Sequence, residues 1–450
     1  MIPKSNLPPV VVRLLVAGLF VAGFTASALA DVQIKGATQT DVDKRRTQSG
    51  ARVTAEADSG GDPGEGMGTD HMSDSYQPKG VPLGNFLLMP KVVADVNYVD
   101  NTYATRTDAK SDLYTLIQPE VSLRSRFQRH EVNARVQLQQ YLYNRFEREN
   151  RLDISGDVSG RYDLAAGTVF DGLLQLYSRH EDRTSPDDAS GLRPTPSKGA
   201  TGKFGGQIEQ GRFTVRAEVL PQRLTYEGVA TSVGTIIPNA DRNRWEVEGK
   251  VRTAYEMFPG YKAVTQLSVN TREYDHTYDR GGYKRSSSGY RAEAGVGFDI
   301  SQLLRGDVLL GYLAQDYRDS RLTDPHGLSF YGSLNWTPDK LLVIVPAMER
   351  AVGETSSAGA SSLIRNTGSL LVKYELARNI VIEGYGSVSY ETLSGTSQSD
   401  WVEEGKLKAT YAFSPQLFVG TEARIRNKDA TLYGSGYRQN TFTLRLGAQL

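Results

Sequence analysis

From Leu88 to Leu450, apolar and polar residues alternate over repeated spans of about ten to fifteen residues. In NRLDISGDVSGRYDL, Arg151, Asp153, Ser155, Asp157, Ser159 and Arg161 share one face, opposite Leu152, Ile154, Val158 and Tyr162. In RNRWEVEGKVRTAYEMF, Arg242, Arg244, Glu246, Glu248, Lys250 and Arg252 lie opposite Trp245, Val247, Val251 and Tyr255. Period two marks a strand with two unlike faces. The spans are about twice the usual globular strand length, which suits a tilted strand crossing a bilayer and projecting beyond it. Lipid then meets the apolar side and a wet lumen the polar side.

HEVNARVQLQQYLYN, YKAVTQLSVNTREYD, SSLIRNTGSLLVKYEL and WVEEGKLKATYAF repeat the division, and the count reaches eighteen strands, with sixteen if a hairpin is merged. The predicted spans include 88–100, 199–209, 240–257 and 433–450. Short connections such as DLAAG, MFPGY, TPDK, ELARN and FSPQ alternate with longer ones such as HEDRTSPDDASGLRPTPSKG, DHTYDRGGY and SAGASS. That alternation is the rule in bacterial outer-membrane barrels, whose short turns face the periplasm. The expected fold is therefore an all-β, antiparallel transmembrane barrel over 88–450.

Composition agrees with a polar, aromatic, strand-rich chain: 45 Gly and 24 Tyr with 39% hydrophobic residues, and a mean hydropathy of −0.42. Lys and Arg total 52, as do Asp and Glu, so there is no nucleic-acid footprint. The absence of Cys removes disulfides and thiol chemistry. Lys4 and Arg13 lead into the apolar stretch 14–24, and Ala28-Leu29-Ala30 suits signal peptidase, so residues 1–30 read as an export signal. Cleavage after Ala30 leaves 50 basic against 52 acidic residues. Residues 31–87 are rich in Gly, Asp and Ser and lack periodicity through most of their length; they are predicted to be a disordered periplasmic leader.

The terminal TFTLRLGAQL sets Phe442, Leu444, Leu446, Ala448 and Leu450 against Thr441, Thr443, Arg445, Gly447 and Gln449. It reads as the closing strand, ending in a signal for the barrel-assembly machinery. An open sheet in hydrocarbon would strand N–H and C=O groups at several kcal/mol each. Eighteen strands enclose more space than facing side chains fill, so a channel narrowed by loops is expected.

The predicted lumen is charged and mixed in sign. Its candidate lining residues are Glu131, Arg135, Asp153, Asp157, Arg161, Arg244, Glu246, Glu248, Lys250, Arg252, Glu404, Lys406, Lys408, Glu422, Arg424 and Arg426. They suit a hydrated wall and a polar permeant, or serve only to brace the wall. Tyr98, Tyr103, Tyr114, Tyr141, Tyr143, Tyr162, Tyr274, Tyr290, Tyr374, Tyr411 and Tyr437 fall mostly near strand ends and read as interfacial girdles.

No enzyme is indicated. The histidines are His71, His130, His180, His276 and His326, and none forms an HExxH motif. His180-Glu181-Asp182 beside Ser185, and His276 near Asp275 and Asp279, would need folding to bring a nucleophile and substrate together. GVPLGNF, DRGGYKR and GSGYRQN are turns without phosphate-loop spacing. No catalytic residue, cofactor or metal is expected.

PKVVADVNYVDNTYATRTDAKSDLYTLIQPEVSLRS, with Tyr98-x-Asp100-Asn101, Tyr103, Asp112 and QPEVSL, resembles the outer-membrane beta-barrel porin type 2 family over 88–450. The resemblance implies a multi-pass barrel in the bacterial outer membrane, some of whose relatives look like exit pores for exopolysaccharide or capsule. It implies lipid, lipopolysaccharide and the assembly machinery as surroundings, with a periplasmic polysaccharide-export protein as partner. Tyr98, Asp100, Asn101 and Asp112 are expected to shape and anchor the outer mouth. The leading expectation is a polysaccharide export pore. Its alternatives are a general porin for small hydrophilic solutes or ions, and a structural or adhesive protein.

Overall fold

The computed structural model describes residues 74–300, 303–432 and 434–450. The export signal and most of the leader lie outside the described residues. The barrel strands are β1 Phe86–Val99, β2 Asp112–Ser125, β3 Glu131–Tyr143, β4 Arg151–Ala165, β5 Thr168–His180 and β6 Pro196–Gln210. Next come β7 Phe213–Tyr226, β8 Arg244–Phe258, β9 Tyr261–Tyr274, β10 Ser287–Ile300, β11 Leu304–Tyr317 and β12 His326–Trp336. The wall ends with β13 Leu342–Gly353, β14 Leu363–Ala377, β15 Ile380–Leu393, β16 Ser399–Ala412, β17 Leu417–Ala430 and β18 Tyr437–Gln449.

Each strand pairs antiparallel with its chain neighbours, and β1 pairs with β18 from Lys91↔Gln449 to Val99↔Thr441. The fold is an eighteen-stranded closed barrel. Closure leaves no sheet edge, the condition hydrocarbon imposes on strands. Among the described residues no helix is long and apolar enough to span a membrane; strands make the crossing. The ladder is sparse between β12 and β13, where pairing skips from Ser333↔Ala347 to Trp336↔Ile344 around Pro346, a residue with no N–H to donate.

Connections alternate strictly. One end carries 126–130, 166–167, 211–212, 259–260, 301–303, 337–341, 378–379 and 413–416; the other carries segments that are mostly longer, from 394–398 up to 227–243. By the rule for such barrels the first end is periplasmic and the second external. Three of the two-residue turns use a left-handed glycine, Gly167, Gly211 and Gly260; Gly167 has φ +78°, and a Cβ there would sit 2.4 Å from the Glu209 carbonyl oxygen.

Side-chain parity sorts the wall. Phe442, Leu444 and Leu446 of β18, Leu407 of β16 and Ile425 of β17 are exposed on the outside, the face that meets lipid. Asp95, Asn97, Arg244, Glu246 and Lys250 are buried on the inside. Two segments differ from the sequence reading. Residues 240–242, expected to begin a strand, form a 3₁₀ turn, Ala240–Arg242, and β8 begins at Arg244. Within the expected leader, Asp74–Tyr76 is a 3₁₀ turn and Val81–Leu83 pairs with Leu88–Phe86. Tyr76 also packs on an apolar cluster inside the short-turn end, Val93, Ala412 and Phe418.

Candidate transport lumen and its loop constriction

The candidate charged residues occupy three arcs of the inner wall. On β3 and β4, Arg135 faces Asp157 and Glu131 faces Arg161 in register. Arg135 Nε lies 2.8 Å from Asp157 Oδ1, while Arg161 turns to Asp163 at 3.0 Å. Asp153 takes the His180 ring at 2.7 Å. On β8, Arg244 donates to Glu246 at 2.5 Å. Lys250 lies between Glu218 and Glu248, and Arg252 reaches Asp307 at 2.7 Å. On β16 and β17, Glu404 lies 3.0 Å from Lys406, 3.2 Å from Arg424 and 3.9 Å from Arg426. Lys408 faces Glu422 in register. Opposite charges thus face each other on neighbouring strands or sit two residues apart on one, the positions at which side chains meet. Two like-charge rungs depart from this: Lys406 opposite Arg424, which Glu404 bridges, and Arg252 opposite Arg216, which turn apart to Asp307 and to Asp171 and Glu218.

Four of these residues, Lys406, Lys408, Glu422 and Arg424, line a lumenal cavity of about 370 Å³ together with Tyr114, Tyr141, Tyr143, Arg151, Asp182 and Arg183. The last two belong to the β5–β6 loop, 181–195. Asp and Ser side chains shape this loop locally: Asp182 Oδ1 accepts the Thr184 amide at 2.8 Å, and Asp188 Oδ2 accepts the Ser190 amide at 3.2 Å. Ser190 is left-handed at φ +52°.

The loop then crosses the lumen. Arg426 of β17 donates to Thr184 Oγ1 at 2.6 Å, and Tyr437 of β18 donates to the Thr184 carbonyl at 3.5 Å. Asp187 Oδ1 accepts the Ser356 amide at 2.7 Å and the Thr355 hydroxyl at 3.1 Å. Arg183 pairs with Glu149 in the β3–β4 loop. Burial pushes the Asp182 carboxyl up, but its bonds from Thr184 and the nearby Arg151 and Arg426 outweigh this, leaving it below the ordinary value. Asp188 goes the other way: burial raises it more than Arg183 lowers it.

Other loops brace the first. Glu181 and Arg242 form a buried ion pair, and the Leu192 amide donates to the Ala230 carbonyl at 2.8 Å. Val229, in the 227–243 loop, is fully buried. Arg285 donates to the Thr355 and Ala360 carbonyls at 2.8 and 3.1 Å, tying the 275–286 loop to the 354–362 loop. The external mouth is therefore a set of mutually bonded loops above a polar lumen.

A family model described as "Putative beta-barrel porin 2" matches residues 74–450. The chain belongs to that family. With the apolar exterior and polar lumen, membership makes it an outer-membrane β-barrel. No curated protein matches it. Among solved structures it is similar to the siderophore receptor PiuA from Acinetobacter baumannii, at 11% identity and a TM-score of 0.45, covering 83% of this chain and 82% of that one. OpdK from Pseudomonas aeruginosa, solved with vanillate, gives 10% identity and 0.42 over 81% of this chain and 99% of that one. Likenesses this distant carry no argument about what passes through the lumen.

In this porin-family barrel the Tyr98–Asp112 element works at the closure seam. Asp100 accepts the Asn440 amide at 2.7 Å and its side-chain Nδ2 at 2.5 Å. Buried Asn101 donates to the Arg438 and Thr105 carbonyls, joining β18 to its own loop. Asp112 accepts the Arg145 and Phe146 amides at 3.0–3.1 Å, fixing the next loop. Tyr98 faces outward.

The girdle reading of the tyrosines needs correction. Tyr98, Tyr162, Tyr290, Tyr374 and Tyr411 are exposed outside. Tyr114, Tyr141, Tyr143, Tyr274 and Tyr437 sit on inward strand positions, and Tyr103 is in the 100–111 loop against Phe146. Tyr114 stacks on Tyr143 at 4.7 Å, and Arg151 lies 3.9 Å from the Tyr141 ring centre. Parity would have separated the two groups, since Tyr114 shares the face of Asp112 and Gln118 while Tyr98 shares that of Val96.

The histidine neighbourhoods do not converge. His180 is held by Asp153, the Ser185 amide donates to the Asp182 carbonyl, and Asp275 is engaged by Arg223. Among the described residues no group of three or more His, Cys, Asp or Glu is placed to hold a metal ion.

Proposed function

We propose that this barrel is a diffusion pore for small hydrophilic solutes or ions, with the charged rungs keeping its wall hydrated. The observation that carries the reading is the 181–195 loop, bonded on its far side to Arg426 and Ser356. A polar lumen crossed by a fixed loop favours small permeants over a polymer that must thread it. The test is conductance of the purified barrel in a planar bilayer, together with swelling of sugar-loaded liposomes. Steady conductance and uptake of small sugars are expected; an impermeable purified barrel overturns the reading.

A second reading, export of exopolysaccharide with a periplasmic partner, is supported by the inward shelf of Tyr114, Tyr141 and Tyr143, whose ring faces suit sugar stacking. Surface polysaccharide in a deletion strain tests it. A loss restored by the intact gene, with polymer held in the periplasm, favours export; unchanged polysaccharide in a producing strain removes it.

A further inference from the structure

The outer wall of β4–β6 departs from the lipid-facing pattern. There, Gly160 faces Gly172 in register, so two adjacent strands present no side chain to the bilayer at one level. Val132 of β3 flanks the pair on one side and Phe204 of β6 on the other. Tyr162 and Phe170, themselves paired, form the next rung towards the short turns. These residues enclose an external groove of about 620 Å³. Its aromatic walls are well exposed, Phe204 at 53% and Phe170 at 50%.

The foot of the groove is cationic and polar. His130 stacks on Tyr162 at 4.3 Å, and the Asp163 amide donates to its Nδ1 at 3.3 Å. Arg129 reaches across to donate to the Leu164 carbonyl at 2.5 Å, two residues from Tyr162. Arg126, in the same turn, is exposed.

We infer that this groove is a binding site for one glycerophospholipid of the periplasm-facing leaflet. An acyl chain lies in the slot over Gly160, and the phosphate meets Arg129 with His130 beside it. Three observations select this occupant. Parity puts the slot on the hydrocarbon side of the wall. The missing side chain at Gly160 opens a strip about 5 Å wide at the usual strand spacing, walled on the β5 side by the Phe204 ring, which leans over Gly172 to 3.3 Å from where a Cβ would sit; an acyl chain fits along it. Arg129 lies at the short-turn end, at headgroup rather than acyl depth, and attracts an anionic headgroup. The inference does not depend on what the lumen conducts.

The test uses the full barrel, reconstituted in vesicles of palmitoyl-oleoyl phosphatidylethanolamine and phosphatidylglycerol, extracted into detergent and weighed by native mass spectrometry. The wild type should retain one phospholipid, enriched in phosphatidylglycerol. Gly160→Leu fills the slot without backbone conflict, because a Cβ there meets only the Glu131 carbonyl oxygen at 3.6 Å; it should lose the lipid while keeping the heat-dependent gel shift of a folded barrel. Arg129→Gln should keep a lipid but lose the enrichment, and it carries the test if Gly160→Leu does not assemble. Equal, unselective retention in wild type and Arg129→Gln overturns the site, as does undiminished retention in folded Gly160→Leu. A lipid-free oligomer that Gly160→Leu splits into monomers also overturns it, by assigning the groove to a second copy of the chain.

Discussion

Asp95 of β1 and Arg445 of β18 meet across the closure seam in a two-point ion pair, with Arg445 Nε 2.8 Å from one carboxylate oxygen and Nη2 2.7 Å from the other. Asp95 is only 2% exposed and also accepts a bond from Gln118. Thr443 donates to Asn97 one rung above, and Asp100 holds Asn440 at the external end. The seam is thus fixed by specific polar contacts as well as by its backbone ladder.

Asp95→Ala should therefore lower barrel stability by roughly 1.5–3 kcal/mol, the range for hydrogen bonds to charged groups. Arg445→Ala should cost a similar amount, and the double variant less than the sum of the two. Urea unfolding in lipid vesicles measures all three. Strict additivity would mean that the pair contributes nothing to closure.

The crossing loop makes a separate prediction about permeation. Arg426→Ala removes the Thr184 contact, and deletion of 183–190 removes the crossing itself. Single-channel conductance should rise modestly in the first and severalfold in the second. An unchanged value after the deletion would place the narrowest point elsewhere.

Two loop carboxylates give the conductance a pH dependence with two signs. The Asp182 carboxylate is held below its ordinary 3.8, so its stabilisation of the loop is present above that value and is lost as pH falls through the depressed one. Asp188 is raised by burial, so its contribution is full below 3.8 and declines as pH rises through the raised value. Acidification from neutrality should first steady the loop and reduce open-channel noise, then release it below pH 3.8 with a rise in conductance. Asp188→Asn should abolish the first change and Asp182→Asn the second.

The lipid face should reject charge. Leu444→Arg, on the exposed side of β18, should cost about 2–4 kcal/mol if it lies near the bilayer midplane. Ser155→Arg, inward on β4, should be tolerated far better. Equal costs would contradict the assignment of faces.

Much of this architecture was legible in the sequence because a barrel strand is a local object. Trp245, Val247 and Val251 against Arg244, Glu246 and Lys250 declare two faces without reference to any other strand, and the two-residue turns declare their ends. The Glu404 cluster was legible as a polar face, although its three-cation sharing depends on the register of β16 with β17. The loop crossing was not legible: Thr184 meets Arg426 across 242 residues, and nothing near Thr184 encodes that distance. Tyr114 and Tyr98 both lie near strand ends, and only their parity, inward for Tyr114 and outward for Tyr98, separates them. The inward apolar residues Val93 and Phe418 break the polar-lumen rule, and their reason, the docking of Tyr76, comes from a segment outside the periodic region.

The pairing of β1 with β18 also gives the membrane a means of proofreading. A product ending before Tyr437 has every strand but one, yet leaves two unpaired edges where no water can satisfy them. Seventeen correct strands therefore confer no stable partial state in lipid. Closure and membrane stability arrive together, with the last strand.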